Sequence, residues 1–86
     1  MKVYIPGALH SYTREASSVD AAGASVGELL DDLDRRYPGI RFRIINEQDE
    51  IRRHIRIFVN SDQVAGLSAP LHREDEIMIV CALSGG

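Results

Sequence analysis

Residues 25–39, SVGELLDDLDRRYPG, decide the fold. Ser25 followed three residues later by Glu28 is a capping box: the hydroxyl accepts the backbone N–H of residue 28, and the carboxylate returns to the N–H of the cap. Val26, Leu29, Leu30, Leu33 and Tyr37 then recur at helical spacing and share one face, while Asp31, Asp32 and Asp34 occupy the wet side. Arg35 and Arg36 stand in the last turn, where the negative end of the helix dipole favours cations. Pro38 and Gly39 stop the run. The result is one amphipathic helix of about a dozen residues, and its apolar stripe needs a sheet to cover it.

Outward from that helix the pattern changes from helical to alternating. Residues 2–6, KVYIP, put Val3 and Ile5 on one face and Tyr4 on the other. ASSVDAA (16–22) reads as a weaker strand centred on Val19, with LHSYTR (9–14) as a broad turn between the two. In HIRIFVN (54–60), Ile55, Ile57 and Val59 face one way, Arg56 and Phe58 the other. Asn60, Ser61 and Asp62 form a turn cluster, after which Gln63 and Val64 begin a short return strand. EIMIVCAL (76–83) is the last strand, with Ile77, Ile79 and Cys81 opposite Met78, Val80 and Ala82. Residues 41–53 are mixed and polar, a long connection without a clear period.

The order strand, strand, helix, strand, short strand, strand implies an α+β chain whose mixed sheet packs on one main helix. That is a β-grasp, or ubiquitin-like, roll over residues 1–82, with the first and last strands as central neighbours. A ferredoxin-like sandwich needs a second helix, which residues 41–53 could supply only with poor patterning.

Composition narrows the function. Eighty-six residues make one domain. A net charge of −3 gives no global pull toward nucleic acid or an anionic membrane. The apolar runs are too short to span a bilayer, and MKVYIPGALH is no signal peptide because Pro6 and Gly7 break its apolar stretch. A cytoplasmic chain, monomeric when free, is expected. Lys2 is the single lysine, so the surface is poor in amines that could attack an activated carboxylate. The single cysteine, Cys81, excludes an internal disulfide, and its phase with Ile77 and Ile79 makes it a small buried hydrophobe. His10, His54 and His72 lack metal-ligand spacing, so no metal and no bound cofactor are expected. Arg52, Arg53, His54 and Arg56 read as a solvated basic face.

The sequence ends ALSGG. Glycine orders at the highest entropic cost and brings no side chain to a core, so two at this position have no stability rationale. Leu83, Ser84, Gly85 and Gly86 (83–86) are expected to form a flexible arm beyond the last strand, reaching about 13–14 Å when extended. Such an arm threads a narrow channel and leaves the Gly86 carbonyl open to a nucleophile. An unactivated carboxylate is a poor electrophile, so a partner must first convert it, for example to an acyl-adenylate with ATP.

Over essentially its whole length the chain resembles the MoaD/ThiS family of ubiquitin-like sulfur carriers, with a length and layout similar to the CysO-type members. The resemblance is carried by SVGELLDDLDRRYPGI (25–40), IRIFVNSDQV (55–64) and GLSAPLHREDEIMIVCALSGG (66–86). It implies that Gly86 is adenylated by a ubiquitin-activating-like enzyme using ATP and converted to a thiocarboxylate, whose sulfur passes from a donor to a biosynthetic acceptor enzyme. Gly85 and Gly86 match the family's terminal pair, with Leu83 and Ser84 completing the threading arm. The chain is then a co-substrate rather than a catalyst. Two alternatives use the same tail: the small subunit of a molybdopterin-synthase-like complex, and a protein modifier forming isopeptide bonds through Gly86. Phe58, Met78 and Val80, on the sheet face away from the helix, mark a docking patch for a partner unless residues 41–53 fold over them.

Overall fold

The computed structural model describes residues 1–82; Leu83, Ser84, Gly85 and Gly86 lie outside the described residues. Five strands form one mixed sheet: β1 (Lys2–Tyr4), β2 (Ser18–Asp20), β3 (Ile55–Val59), β4 (Asp62–Gln63) and β5 (Glu76–Cys81). Their spatial order is β2-β1-β5-β3-β4. β1 and β5 run parallel at the centre, with Val3 opposite Ile77, and the other pairs are antiparallel. Parallel neighbours need a crossover, and helix α1 (Val26–Arg36) lies within it. This is the β-grasp arrangement.

The core lies between α1 and one face of the sheet. Val26, Leu29, Leu30 and Leu33 are buried on the helix side, against Val3, Ile55, Ile57, Ile77 and Ile79 from alternate strand positions and Ile5 just past β1. Gly23 permits the close approach of the chain before α1: a Cβ there would stand 2.4 Å from the Leu29 backbone nitrogen. No helix among the described residues is long and apolar enough to cross a membrane.

The capping box forms with one displacement. Ser25 Oγ accepts the Glu28 N–H at 3.2 Å, but Glu28 Oε1 accepts from the Ala24 N–H, one residue before the cap. The segment 67–71 crosses the start of the helix and takes its next donors: Val26 N–H bonds Ala69 O at 3.0 Å and Gly27 N–H bonds Leu67 O at 2.9 Å.

Two segments read as irregular are helical. The turn after β1 is a 3-10 helix over Gly7–Thr13, which buries Leu9 and Thr13. At the start of the connection read over residues 41–53, Ile40–Ile44 forms a short helix, α2. Ile40, Ile44 and Ile45 are fully buried there, so this segment extends the core on the helix side and does not cover the opposite sheet face. At five residues α2 is too short to form a second layer, and the strand order excludes the ferredoxin-like sandwich.

The aspartates of α1 are more than a wet side. Asp32 accepts hydrogen bonds from the Ala22 backbone and from Arg35 and Arg36, all at 2.9 Å. The Arg35 hydrogen bond, followed by that of Ala22, lowers its carboxyl from the ordinary 3.8 to about 2. Asp34 Oδ1 accepts the Gly39 and Arg41 N–H groups at the start of α2, both at 3.1 Å, and Asp31 pairs with Arg41 at 3.1 Å. Gly39 makes that turn in the left-handed region, at φ 97°.

Candidate functional site

Strand β5 carries the candidate site because its alternate residues serve opposite ends. Ile77 and Ile79 point into the core, whereas Met78 faces outward and is 47% exposed. In the sheet register Met78 lies between Tyr4 of β1 and Phe58 of β3, and Val80 lies opposite Arg56. Phe58 and Val80 are half-buried. The patch read from the sequence is therefore a contiguous strip, with Phe58 and Met78 as direct cross-strand partners.

Tyr4 belongs to this patch and was not assigned to it from the sequence. The signal was its alternation with Val3 and Ile5, which sends it to the same face as Met78. Lys2 Nζ lies 5.1 Å from the Tyr4 ring centroid and adds a cation at the edge. Tyr4, Phe58, Asn60, Ser61, Glu76 and Met78 line a shallow recess of about 300 Å³.

The rim of that recess is fixed by a tight turn. Asn60 and Ser61 join β3 to β4 with φ of 49° and 78°, the type I′ hairpin geometry. Asn60 then bonds across to the start of β5: its Nδ2 donates to Asp75 Oδ1 at 2.7 Å, and its Oδ1 accepts the Glu76 N–H at 2.9 Å. The His72 backbone N–H, followed by Asn60, lowers the Asp75 carboxyl below its ordinary value. The carboxylate is thus the form that holds the turn.

The other end of β5 is the root of the arm. Cys81 lies opposite Ile55, is half-buried and packs against the core, in agreement with its sequence phase but less deeply buried than expected. Ala82 N–H donates to His54 O at 2.6 Å. Gly86 and the arm residues Leu83, Ser84 and Gly85 follow this point and lie outside the described residues. No group of histidine, cysteine and carboxylate side chains among the described residues could hold a metal ion.

Much of the basic cluster is engaged with the chain itself. Arg52 Nε donates to Phe42 O at 2.7 Å, and its guanidinium lies 4.6 Å from the Phe42 ring centroid. Arg56 Nη1 donates to Arg53 O at 2.7 Å and Ile55 O at 3.0 Å. These contacts engage backbone carbonyls of α2, of the connection after it and of the first residue of β3.

With this geometry in place, similarity to known proteins is informative. Residues 3–86 match the model of the ThiS family. The sulfur carrier protein CysO of Mycobacterium tuberculosis is 32% identical over 89 residues, covering 98% of this chain and 96% of that protein. Among solved structures, the Amycolatopsis orientalis BexX/CysO complex contains a chain that superposes with a TM-score of 0.92 at 36% identity, covering 99% of this chain and 98% of that one. The small archaeal modifier protein 1 of Methanosarcina acetivorans superposes with a TM-score of 0.81 at 26% identity, covering 99% of this chain and 94% of that one.

Proposed function

The chain belongs to the ThiS family, and from that premise we propose that it is a sulfur carrier, a co-substrate rather than a catalyst, working through Gly86. An ATP-using activating enzyme joins the Gly86 carboxylate oxygen to the α-phosphorus of ATP, and pyrophosphate leaves. A sulfide equivalent then attacks the acyl carbon, AMP leaves, and the product is a thiocarboxylate. An acceptor enzyme consumes that sulfur in a biosynthetic reaction.

The observation that carries this reading is the placement of β5. The strand that delivers the C-terminal residues is the central one, hydrogen-bonded to β1 and β3 on its two sides. Force or strain on the arm is therefore borne by the most firmly held strand, and the globule stays outside while a partner takes the last residues. The family match running through residue 86 supports the assignment of the reactive group to Gly86, with Leu83, Ser84 and Gly85 as the threading arm. The exposed strip of Phe58, Met78 and Val80, joined by Tyr4, supports docking of the activating enzyme on the outer face. The presence of CysO in a complex with BexX supports the expectation that a carrier of this shape binds a partner protein.

The test is ATP–pyrophosphate exchange by the activating enzyme, with the chain as co-substrate. Exchange that depends on the chain and disappears when Gly86 is deleted supports the reading; exchange that survives the deletion removes it. The likeness to a small archaeal modifier protein favours one second reading, in which Gly86 is joined to lysines of other proteins. Lysines bearing the terminal diglycine on other proteins, in cells expressing the chain, would identify that activity. Self-linked chains are not expected, because Lys2 and the Met1 amine are the only internal acceptors.

A further inference from the structure

A second cavity, of about 330 Å³, opens where β5 ends, between the 3-10 helix, α2 and the start of β3. Ser11, Tyr12, Arg43, His54, Ile55 and Cys81 line it. Among the described residues, Arg43 and His54 are its only chargeable partners for an anion and no carboxylate lines it, although the chain has more acidic than basic residues. Positive potential is therefore concentrated in a cleft of a net-acidic molecule.

Arg43 is held in place by a neutral group. Its Nε donates to Tyr12 Oη at 2.6 Å, and its guanidinium carbon lies 5.8 Å from the Tyr12 ring centroid. Tyr12 in turn packs against the α2 start, where a Cβ on Gly39 would stand 3.2 Å from its ring. Arg43 is one of six arginines without an ion pair among the described residues, with Arg14, Arg52, Arg53, Arg56 and Arg73; the other three are paired. Arg35 and Arg36 are paired with Asp32, and Arg41 with Asp31 and Asp49. Among the described residues no carboxylate lies within ion-pair distance of Arg43. A guanidinium oriented through Nε keeps its terminal nitrogens as a fork that matches a planar carboxylate.

The position of this cleft says what would meet it. Ala82 is bonded to His54 O, so the last described residue stands beside the cleft, close to where a protein taking residues 83–86 would dock. Resting on the sulfur-carrier reading, we propose that the cleft is a second contact for the activating enzyme. It accepts an aspartate or glutamate side chain from the rim of the channel that takes the arm. Arg43 binds that carboxylate, and Tyr12 is the positioning residue that holds Arg43. The outer-face strip supplies apolar area, and the Arg43 contact fixes how the arm is aimed. A charged contact at the rim acts on encounter and affinity rather than on the chemical step.

The experiment measures exchange activity against chain concentration for the wild type, Arg43→Ala, Arg43→Lys and Tyr12→Phe, with thermal unfolding of each as a control. Arg43→Ala is expected to raise KM about tenfold with kcat within about twofold, as for loss of a hydrogen-bonded charge. Arg43→Lys recovers part of that loss, Tyr12→Phe falls between, and added salt raises the wild-type KM more than that of Arg43→Ala. In a second arm, N-acetyl-Glu-Glu-amide is titrated into the free chain; Arg43 Nε–Hε and the Tyr12 and Cys81 amides shift in the wild type, and the two amides stay unmoved in Arg43→Ala. An active wild type with an unchanged KM for Arg43→Ala overturns the cleft's role and leaves the carrier reading standing. A wild type that no enzyme activates removes the carrier reading and this partner with it. Arg43 signals that move when the Gly86 carboxylate of the free chain is converted to an amide would assign the cleft to the chain's own carboxylate, against a partner's.

Discussion

Both faces of β5 carry large apolar side chains, and these meet opposite fates. Ile77 and Ile79 are covered by α1 and its neighbours, with 0% and 2% of their surface exposed, while Met78 between them is 47% exposed. A central strand with a parallel neighbour is usually buried on both faces and reads as one apolar run. Here a single helical layer covers one face only, since α2 joins α1 rather than crossing the sheet. The outer face thus keeps apolar side chains that folding does not need, and such residues are free to serve a partner. Apolar character marks a strand; the count of helical layers decides which half of it is core.

The most severe way to probe this contrast is Ile79→Ala. It should lower the unfolding free energy by about 2–5 kcal/mol in urea titrations, as for a buried isoleucine that leaves a cavity. A loss below about 1 kcal/mol would mean that the inner face is not the core it is taken to be. Met78→Glu is the matched outer-face change. Its unfolding midpoint should move by no more than about 0.5 kcal/mol equivalent, while activation of Gly86 weakens about tenfold. Instability comparable to that of Ile79→Ala would erase the distinction between the faces.

Asp32 tests the helix side by pH. Its carboxyl is held at about 2 in the folded chain against an ordinary 3.8. A lowered folded value adds stability above the unfolded one, and that contribution is lost as pH falls through the range between them. Both arginine partners are at least half exposed, so screening limits the effect to about 1 kcal/mol. Between about pH 4 and pH 2 the stability of Asp32→Asn should decline less than that of the wild type; parallel declines would show that the carboxylate is not held. Smallest of all, Ser61→Gly should stabilise the chain by about 0.5–1 kcal/mol, because it relieves a positive φ at the I′ turn beneath the outer recess. Destabilisation would mean that the serine side chain contributes more than its backbone costs.

Much of the fold is legible because local signals agree with the tertiary ones. The cap at Ser25, the stripe from Val26 to Leu33 and the alternation in β3 and β5 each specify an element by short-range chemistry. The 3-10 helix and α2 were hidden for a shared reason: each is too short to show a period. Ile40, Ile44 and Ile45 are spaced as one buried patch, yet Arg41 and Arg43 between them make the stretch look polar. The roles of Asp32 and Asp34 were hidden because their partners, the Ala22, Gly39 and Arg41 backbones, are defined only once the chain has folded. In the candidate site, Phe58, Met78 and Val80 followed from alternation alone. Arg43 did not, since its significance depends on Tyr12, some thirty positions earlier, and on its having no ion-pair partner among the described residues.

The central proposal is that Gly86 carries sulfur. Its most direct test is the intact mass of the chain after incubation with the activating enzyme, ATP and a sulfide source. The expected result is a gain equal to one sulfur in place of one oxygen, localised to Gly86 by fragmentation and absent from the chain lacking Gly86. A chain that is adenylated yet never gains sulfur would contradict the claim and turn the same tail toward conjugation.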